Sequence, residues 1–538
     1  MRGFFSLNYQ QTEGGLAFCF PVGYNRDFIR FPLYHLDHPV SDKLTQEKEL
    51  LREIATRPPL GKALGYLSLS GPGLLQSGMT LGAGSAAASV VAGASFGYKL
   101  LWVQPVAMFL GIMMFMALSN IVLTVRERPY WSFMGEARKI WGPLVILVFL
   151  WAFGSVVASV IWHFPQYGLA AGAVRSVIQE FAPGAELVTS TGFTSLGYLV
   201  SFAAGLAVLL INITVVFNYG RGGVGIKVYE WFMRGVIALV FLTFLLVVVM
   251  NVHKIDWIEM LKGFIGWYGI PYHEDPAKYA QTLTLVLGMV GASVGINMTF
   301  MYPYSQLKKG WGPEHKTLAK WDLGLTMFTP FVIITSLVMV GMTISGVYVA
   351  GVDNGQDVVN AAISPLTAAS ALQSDFISQR VATIIFCGGL IGMACGAIAA
   401  HMTCCGFVLQ EMFGLEPSTW RFRLFAMTPS IGIFGVVFQL PLWFPVAASA
   451  ICFTMLPVAY LIFLILNNRR SYIGDAVGKG AKRTVFNTLL VLALLMAVVG
   501  ASAQIKTRVI DRLFPPKVQQ VIETTITDEP DALNENEP

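Results

Sequence analysis

Two clusters of small residues interrupt long apolar stretches, and they are where this sequence could do chemistry. The first is Gly82-Ala83-Gly84-Ser85, near the middle of the charge-free run 63–98. The second runs Gly291-Ala292-Ser293-Val294-Gly295-Ile296-Asn297-Met298-Thr299, with Pro303 following. Glycine costs a helix about 1 kcal/mol relative to alanine, so each cluster invites a break that frees backbone groups. A helix restarting after Gly84 is expected to turn the amides of Ser85, Ala86 and Ala87, and the positive end of its dipole, into the gap. Ser85 adds a hydroxyl, and that combination suits an anion or a carboxylate. Across from it, Gly295 leaves room for a bulkier solute, Asn297 offers an amide oxygen and Met298 a soft sulfur. Either cluster alone reads more simply as close helix packing. Their pairing is what points to a site.

Titratable chemistry is sparse. Away from the ends of the apolar stretches, only His163 and His401 change charge near neutral pH. Each reads either as a neutral structural histidine or as part of a proton or polar pathway. Glu230 and Asp322 stand at the ends of apolar stretches beside Arg234 and Lys320, where pairing or exposure to water is expected. Asn120, Asn212, Thr214 and Gln76 line a path or bridge helices. The six cysteines form no C-x-x-C pair, which argues against a disulfide framework or a zinc site. No nucleophile–base pair or metal constellation suggests an enzyme, and no cofactor is implied.

The elements that must position these residues follow from composition. Of 538 residues, 55% are hydrophobic and 12% are charged, about half the charge of a soluble domain; the mean hydropathy is +0.62. A spanning helix needs about 20 apolar residues. Charge-free stretches of that length run 63–98, 100–125, 140–174, 187–220, 235–253, 279–307, 323–352, 381–410, 424–468 and 484–505. The stretch 424–468 is long enough for two helices, divided at Leu440-Pro441-Leu442-Trp443-Phe444-Pro445. The expectation is an all-α integral membrane protein with eleven transmembrane helices, since no barrel-like alternation appears. Alternate loops hold the basic residues, from Arg126, Arg128, Arg138 and Lys139 to Arg469, Arg470, Lys479, Lys482 and Arg483. That pattern puts the N-terminus in the cytoplasm of a cell (inner) membrane protein. The net charge of +5 follows from these loops and needs no nucleic-acid partner.

Residues 1–65 read as a cytoplasmic extension with an amphipathic helix over 41–57, residues 66–505 as the membrane domain, and 506–538 as an acidic, disordered tail. No cleavable signal precedes the first span. Spans one and six head two successive five-helix sets, with an eleventh helix appended. Breaks at matching places in two halves are the sequence sign of an inverted-repeat transporter.

At these residues the chain resembles the Nramp family, proton-coupled divalent-metal transporters with the LeuT-type 5+5 inverted repeat and discontinuous helices one and six. Gly71-Pro72-Gly73 and Gly97-Tyr98-Lys99-Leu100-Leu101-Trp102 resemble the ends of the family's first helix. Gly225-Ile226-Lys227-Val228-Tyr229-Glu230 is similar to its fifth-helix start. Cys405-Gly406-Phe407 resembles the end of its eighth helix, and Asn468-Arg469-Arg470 the turn after its tenth. The likeness covers roughly 66–505. The family's Asp-Pro-Gly-Asn signature falls on Gly82, Ala83, Gly84 and Ser85, and its Met-Pro-His-Asn on Gly295, Ile296, Asn297 and Met298. Acids of its third helix fall on Ser155, Trp162 and Pro165, a Gly-Gln pair of its eighth on Ala400 and His401, and a glutamate on Cys405.

The resemblance therefore implies a membrane secondary transporter working by alternating access, while the acidic, methionine and histidine ligands are replaced. A divalent ion stripped of water needs charged or multiple hard ligands, so a neutral or anionic small solute is favoured. The alternatives are a weakly held, largely hydrated divalent cation, or a non-transporting membrane sensor. The partners expected are that solute or ion and the lipid bilayer; the oligomeric state is left open.

Overall fold

The computed structural model describes residues 40–506, apart from 190–191, 220–222, 371–372, 374–377, 416–417 and 439–441. It divides into two compact units, Met1–Glu53 and Ile54–Pro538. The helix expected over 41–57 is seen as Val40–Thr56. The acidic tail from 507 onward lies outside the described residues.

Among the described residues, eight helices are long and apolar enough to cross a bilayer. They become nine when Pro72–Thr80 and the helix after it, bent by 49° at a short break, are taken as one span. Another long helix runs Gly223–Met250. The stretch 424–468 does separate into two pieces, a 3-10 helix Thr428–Val437 and a span Trp443–Asn467, with the proline-bearing junction between them. Among the described residues one antiparallel strand pair, Val188–Thr189 with Gly192–Phe193, is two residues a side and lies between two helices. The fold is all-α and membrane-spanning.

Helix starts are written locally. Asp275 caps Pro276–Ser293, accepting the Ala277 amide at 2.8 Å, with proline at the first helical position where its missing N–H costs nothing. Ser378 caps Gln379–Met412 in the same way. The two longest helices, Gly142–Phe181 and Gln379–Met412, pack side by side and form the wall against which the broken span rests. Lipid is as apolar as a leucine, so helices associate here by close van der Waals fit rather than by escape from water. Glycines provide that fit. Gly432 and Gly435, three apart and therefore on one face of the 3-10 helix, press onto His163 and Phe164 where any side chain would overlap them. Gly288 and Gly291 do the same against Val446 and Ser449.

A polar cluster outside the spans ties two of them together. The Pro129–Ile140 helix carries Glu136, whose side chain is 3% exposed. Burial pushes its carboxyl up, but hydrogen bonds from Lys139 Nζ at 2.8 Å and Arg469 Nε at 3.1 Å outweigh burial and hold it below the usual range. This gives the Asn468-Arg469-Arg470 turn a role: it ties the end of one span to the helix before another. A depressed carboxyl stabilises the fold above its unfolded value and loses that contribution as pH falls through its folded value. The thermal midpoint in detergent is therefore expected to drop on acidification below about pH 4, and Glu136→Gln to flatten that drop. An unchanged acid limb in the variant would count against this assignment.

Candidate functional site

The two small-residue clusters come together. The first half-helix, Pro72–Thr80, ends at Leu81, and the second runs Ala83–Phe96 with extended Gly82 between them. Beside this break lies another: Pro276–Ser293 stops at extended Val294, the chain turns through Gly295 to Asn297, and Met298–Lys308 resumes. Between the breaks is a cavity of about 20 Å³, room for about one water. The conformation is thus closed around its centre. Gly82, Gly84, Ser85, Gly295, Asn297, Met298 and His401 all line the cavity. Ala83 opens the second half-helix. His163 does not line the cavity, but its ring lies 5.3 Å from that of His401.

The local chemistry corrects two expectations. The second half-helix begins two residues earlier than the sequence suggested, because Gly82 itself turns the chain: the Ala86 amide already donates to the Gly82 carbonyl at 3.1 Å. The first-turn amides that precede this bond are those of Ala83, Gly84 and Ser85, not of Ser85, Ala86 and Ala87. The Ser85 hydroxyl donates back across the break to the Thr80 carbonyl, with Ala292 O at 3.4 Å. It closes the first break rather than waiting for a ligand. Met298 does likewise for the second, its sulfur accepting the Gly295 amide at 3.2 Å.

The Gly142–Phe181 helix supplies the opposing wall through Trp151, Ser155, Ser159, Trp162 and Gln166, spaced four, four, three and four apart and so on one face. The Thr299 hydroxyl donates to Ile296 O, which Ser155 Oγ approaches at 3.2 Å while donating to Trp151 O at 2.7 Å, and Cys404 Sγ donates to Asn297 O at 3.1 Å, so the unwound carbonyls are partly spoken for. Ser159 donates its own hydrogen to Ser155 O at 2.8 Å. Its oxygen must therefore accept from Asn297 Nδ2, at 3.2 Å, which fixes the amide orientation. The indole of Trp162 covers Gly84 so closely that any Cβ there would overlap the ring.

His163 Nδ1 lies 2.8 Å from Ser159 O. A carbonyl only accepts, so Nδ1 carries the hydrogen and Nε2 is the free lone pair of the neutral ring. Buried His163 Nε2 and His401 Nδ1 have no hydrogen-bond partner among the described residues, and neither has the Tyr167 hydroxyl nearby. Two imidazoles with open nitrogens side by side can accept a proton or hold a polar group.

Sequence reasoning missed Met79 and Gln166 in the lining and did not assign Trp162 to it. The signal was present in the serine–tryptophan–glutamine face of one helix. Asn120 bridges helices, donating to Asn467 Oδ1 at 2.8 Å, while Asn212 and Thr214 bond their own helix. Gln76 is buried with both polar atoms unpartnered among the described residues. Asp322 neither pairs with Lys320 nor meets water: it is fully buried, because the first half-helix ends its amides upon it. The Glu230 side chain lies outside the described residues. Five cysteines are buried and free, and no group of three potential metal ligands occurs among the described residues.

Comparison with known proteins bears on what this arrangement belongs to. The chain is 24% identical over 428 residues to the divalent metal cation transporter MntH of Acidiphilium cryptum (strain JF-5), covering 77% of this chain and 85% of that one. In structure it resembles the Eremococcus coleocola manganese transporter, with a TM-score of 0.59, 14% identity, and coverage of 86% of this chain and 91% of that one. It also resembles MhsT in complex with L-phenylalanine, at TM-score 0.52 and 15% identity, covering 80% and 98%. At these identities the structures speak for the LeuT-type fold alone. The family described as natural resistance-associated macrophage protein-like matches residues 166–503, more than half of the chain. The second break lies within that match, and the first, which precedes it in the chain, faces it across the cavity; by a match over more than half of its length, the chain belongs to the Nramp family of membrane transporters.

Proposed function

We propose that this protein moves a small neutral or anionic solute by alternating access, and that it does not bind a dehydrated transition metal tightly. The observation that carries this reading is that, among the described residues, no carboxylate, lysine or arginine lines the central cavity. A divalent cation at that depth needs its charge compensated. Here Met298, the one soft sulfur of the second break, is engaged by the Gly295 amide. The first-turn amides of Ala83, Gly84 and Ser85 suit an anionic or strongly dipolar group, with the open nitrogen of His401 beside them. His163 and His401 are the groups placed to carry a coupling proton between the cavity and the helix interface behind it. The cavity holds about one water in the closed state, so an organic solute enters only when Trp162 and the half-helices part. The pattern of basic loops supports an N-terminus on the cytoplasmic side of the cell membrane.

A second reading is favoured by the oxygen donors of the site. The unwound carbonyls and the Asn297 amide could hold a largely hydrated divalent cation, as the names of the metal-transporting relatives suggest. Uptake into liposomes separates the two. Purified protein should accumulate one or more members of a panel of small carboxylates and neutral solutes, with a rate that responds to a pH gradient, and should show no saturable Mn²⁺ or Mg²⁺ flux. Robust Mn²⁺ flux surviving both Ser85→Ala and Asn297→Ala would overturn the proposal.

A further inference from the structure

Gly71-Pro72-Gly73, at the start of the first half-helix, takes no part in the cavity, yet a buried acid is built onto it. Asp322 Oδ1 accepts the Gly71 amide at 3.1 Å, and Oδ2 accepts the Gly73 amide at 2.6 Å. Thr326 Oγ1 lies 3.2 Å from Oδ1, and the Tyr302 hydroxyl 3.4 Å from Oδ2. The carboxylate thus sits on the positive end of the half-helix, meeting amides that have no partner within it. It comes this close only because Gly73 has no side chain: a Cβ there would stand 2.6 Å from Thr326 Oγ1 and 2.9 Å from the carboxylate. Directly after Asp322 the chain makes a π-helical turn, Leu323–Phe328. Such a turn displaces carbonyls from their usual donors and is often kept at functional positions; the Thr326 carbonyl accepts the Ser77 hydroxyl, one turn along the half-helix.

The other end of the broken span is held by a second acid. Lys99, just beyond the second half-helix, donates to Asp357 Oδ2 at 2.6 Å. Asp357 is buried and also accepts the Gly351 amide at 2.8 Å and the Tyr348 hydroxyl at 3.3 Å. Ser95 Oγ accepts the Asn360 amide at 2.9 Å. Gly97, at φ +57°, lies against the Tyr348 ring. Both acids belong to one continuous piece of chain: the span Pro313–Ile344, which contains Asp322, and the loop it feeds, which contains Asp357.

We propose that this span is a strut with a latch at each end, Asp322 holding the first half-helix and Asp357 the second, so that releasing one latch opens the cavity to one face of the membrane and releasing the other opens it to the opposite face. Asp322 and Asp357 are positioning residues, since neither touches the cavity. The proposal rests on the cavity being the transport site but not on what it carries, and its readout is access rather than flux.

The reporter is Met79→Cys, in the cavity lining, in a chain with Cys19→Ser whose other five cysteines are buried. A membrane-impermeant maleimide is applied to right-side-out and inside-out membrane vesicles. Losing a charged hydrogen-bond acceptor is expected to speed labelling on the order of tenfold, and from one face only. Asp322→Ala should act from the face where the first half-helix begins, and Asp357→Ala from the opposite face. Asp322→Asn, which keeps the shape and one acceptor, should show the same sidedness with a smaller factor if the alanine variant fails to fold. Unchanged rates in folded protein, or acceleration from both faces by either variant, would overturn the proposal. Failure of the solute panel while this sidedness holds would count against the solute reading alone.

Discussion

Gly84→Leu is expected to reduce solute uptake by about a hundredfold while leaving the protein folded and inserted, the upper end of what roughly 1–3 kcal/mol of overpacking produces. The cause is local. A Cβ at this position overlaps the six-membered ring of Trp162 and lies 3.1 Å from Ser449 Oγ, so a leucine must take the space that the solute needs or push the indole out of the wall. Gly84→Ala applies the same clash with one atom and should give a smaller loss. Trp162→Ala removes the obstructing ring, so combining it with Gly84→Ala should recover part of the uptake lost by Gly84→Ala. The comparison is uptake of the best solute from the panel, set beside membrane yield and gel-filtration profile for each variant. Equal activity of the leucine variant and the native protein would mean that the break between the half-helices is not where the solute passes.

The largest stability effect is expected one layer below. Trp151 is fully buried and stacks on Phe300 with ring centroids 4.0 Å apart. Phe133 lies at 5.3 Å and Phe463, edge-on, at 5.5 Å. The indole Nε1 donates to Thr299 Oγ1 at 2.6 Å. Four helices meet at this one side chain, and Thr299 and Phe300 are the residues that restart the second broken span. Trp151→Ala should cost about 3–5 kcal/mol through lost packing, read as a clear fall of the melting midpoint in detergent. Trp151→Phe keeps the stack and loses one hydrogen bond, worth about 1 kcal/mol; Thr299 is not stranded, because its hydroxyl also donates to the Ile296 carbonyl. Alanine and phenylalanine variants that melt together would show that the aromatic stack contributes little.

Much of this architecture could be read in the sequence because lipid leaves the chain few options. Charge-free runs mark spans, and the glycines at 82, 84 and 295 mark where a span gives way. Both signals are local. Which partner each broken end finds is not. Nothing near Ser85 says that its hydroxyl will reach the Thr80 carbonyl, and nothing near Met298 says that its sulfur will take the Gly295 amide. Asp322 was misread for the same reason: its neighbour Lys320 is close in sequence, whereas the amides it serves at Gly71 and Gly73 lie some 250 positions away. The aromatic wall was half legible, since the face running from Trp151 to Gln166 has helical spacing, but spacing alone does not separate a lining from a packing surface.

The self-closure of the two breaks has a consequence for turnover. A carrier that works as a uniporter or symporter must send its empty form back across the barrier, and bare backbone groups in a dry interior make that return slow. Here the empty site satisfies part of itself, with Ser85 bridging one gap and Met298 the other, while His401 Nδ1 stays open. On the solute reading proposed above, a bound solute would compete with these internal partners for the same groups. The unloaded protein can then reorient without a counter-substrate, and net accumulation should not depend on exchange.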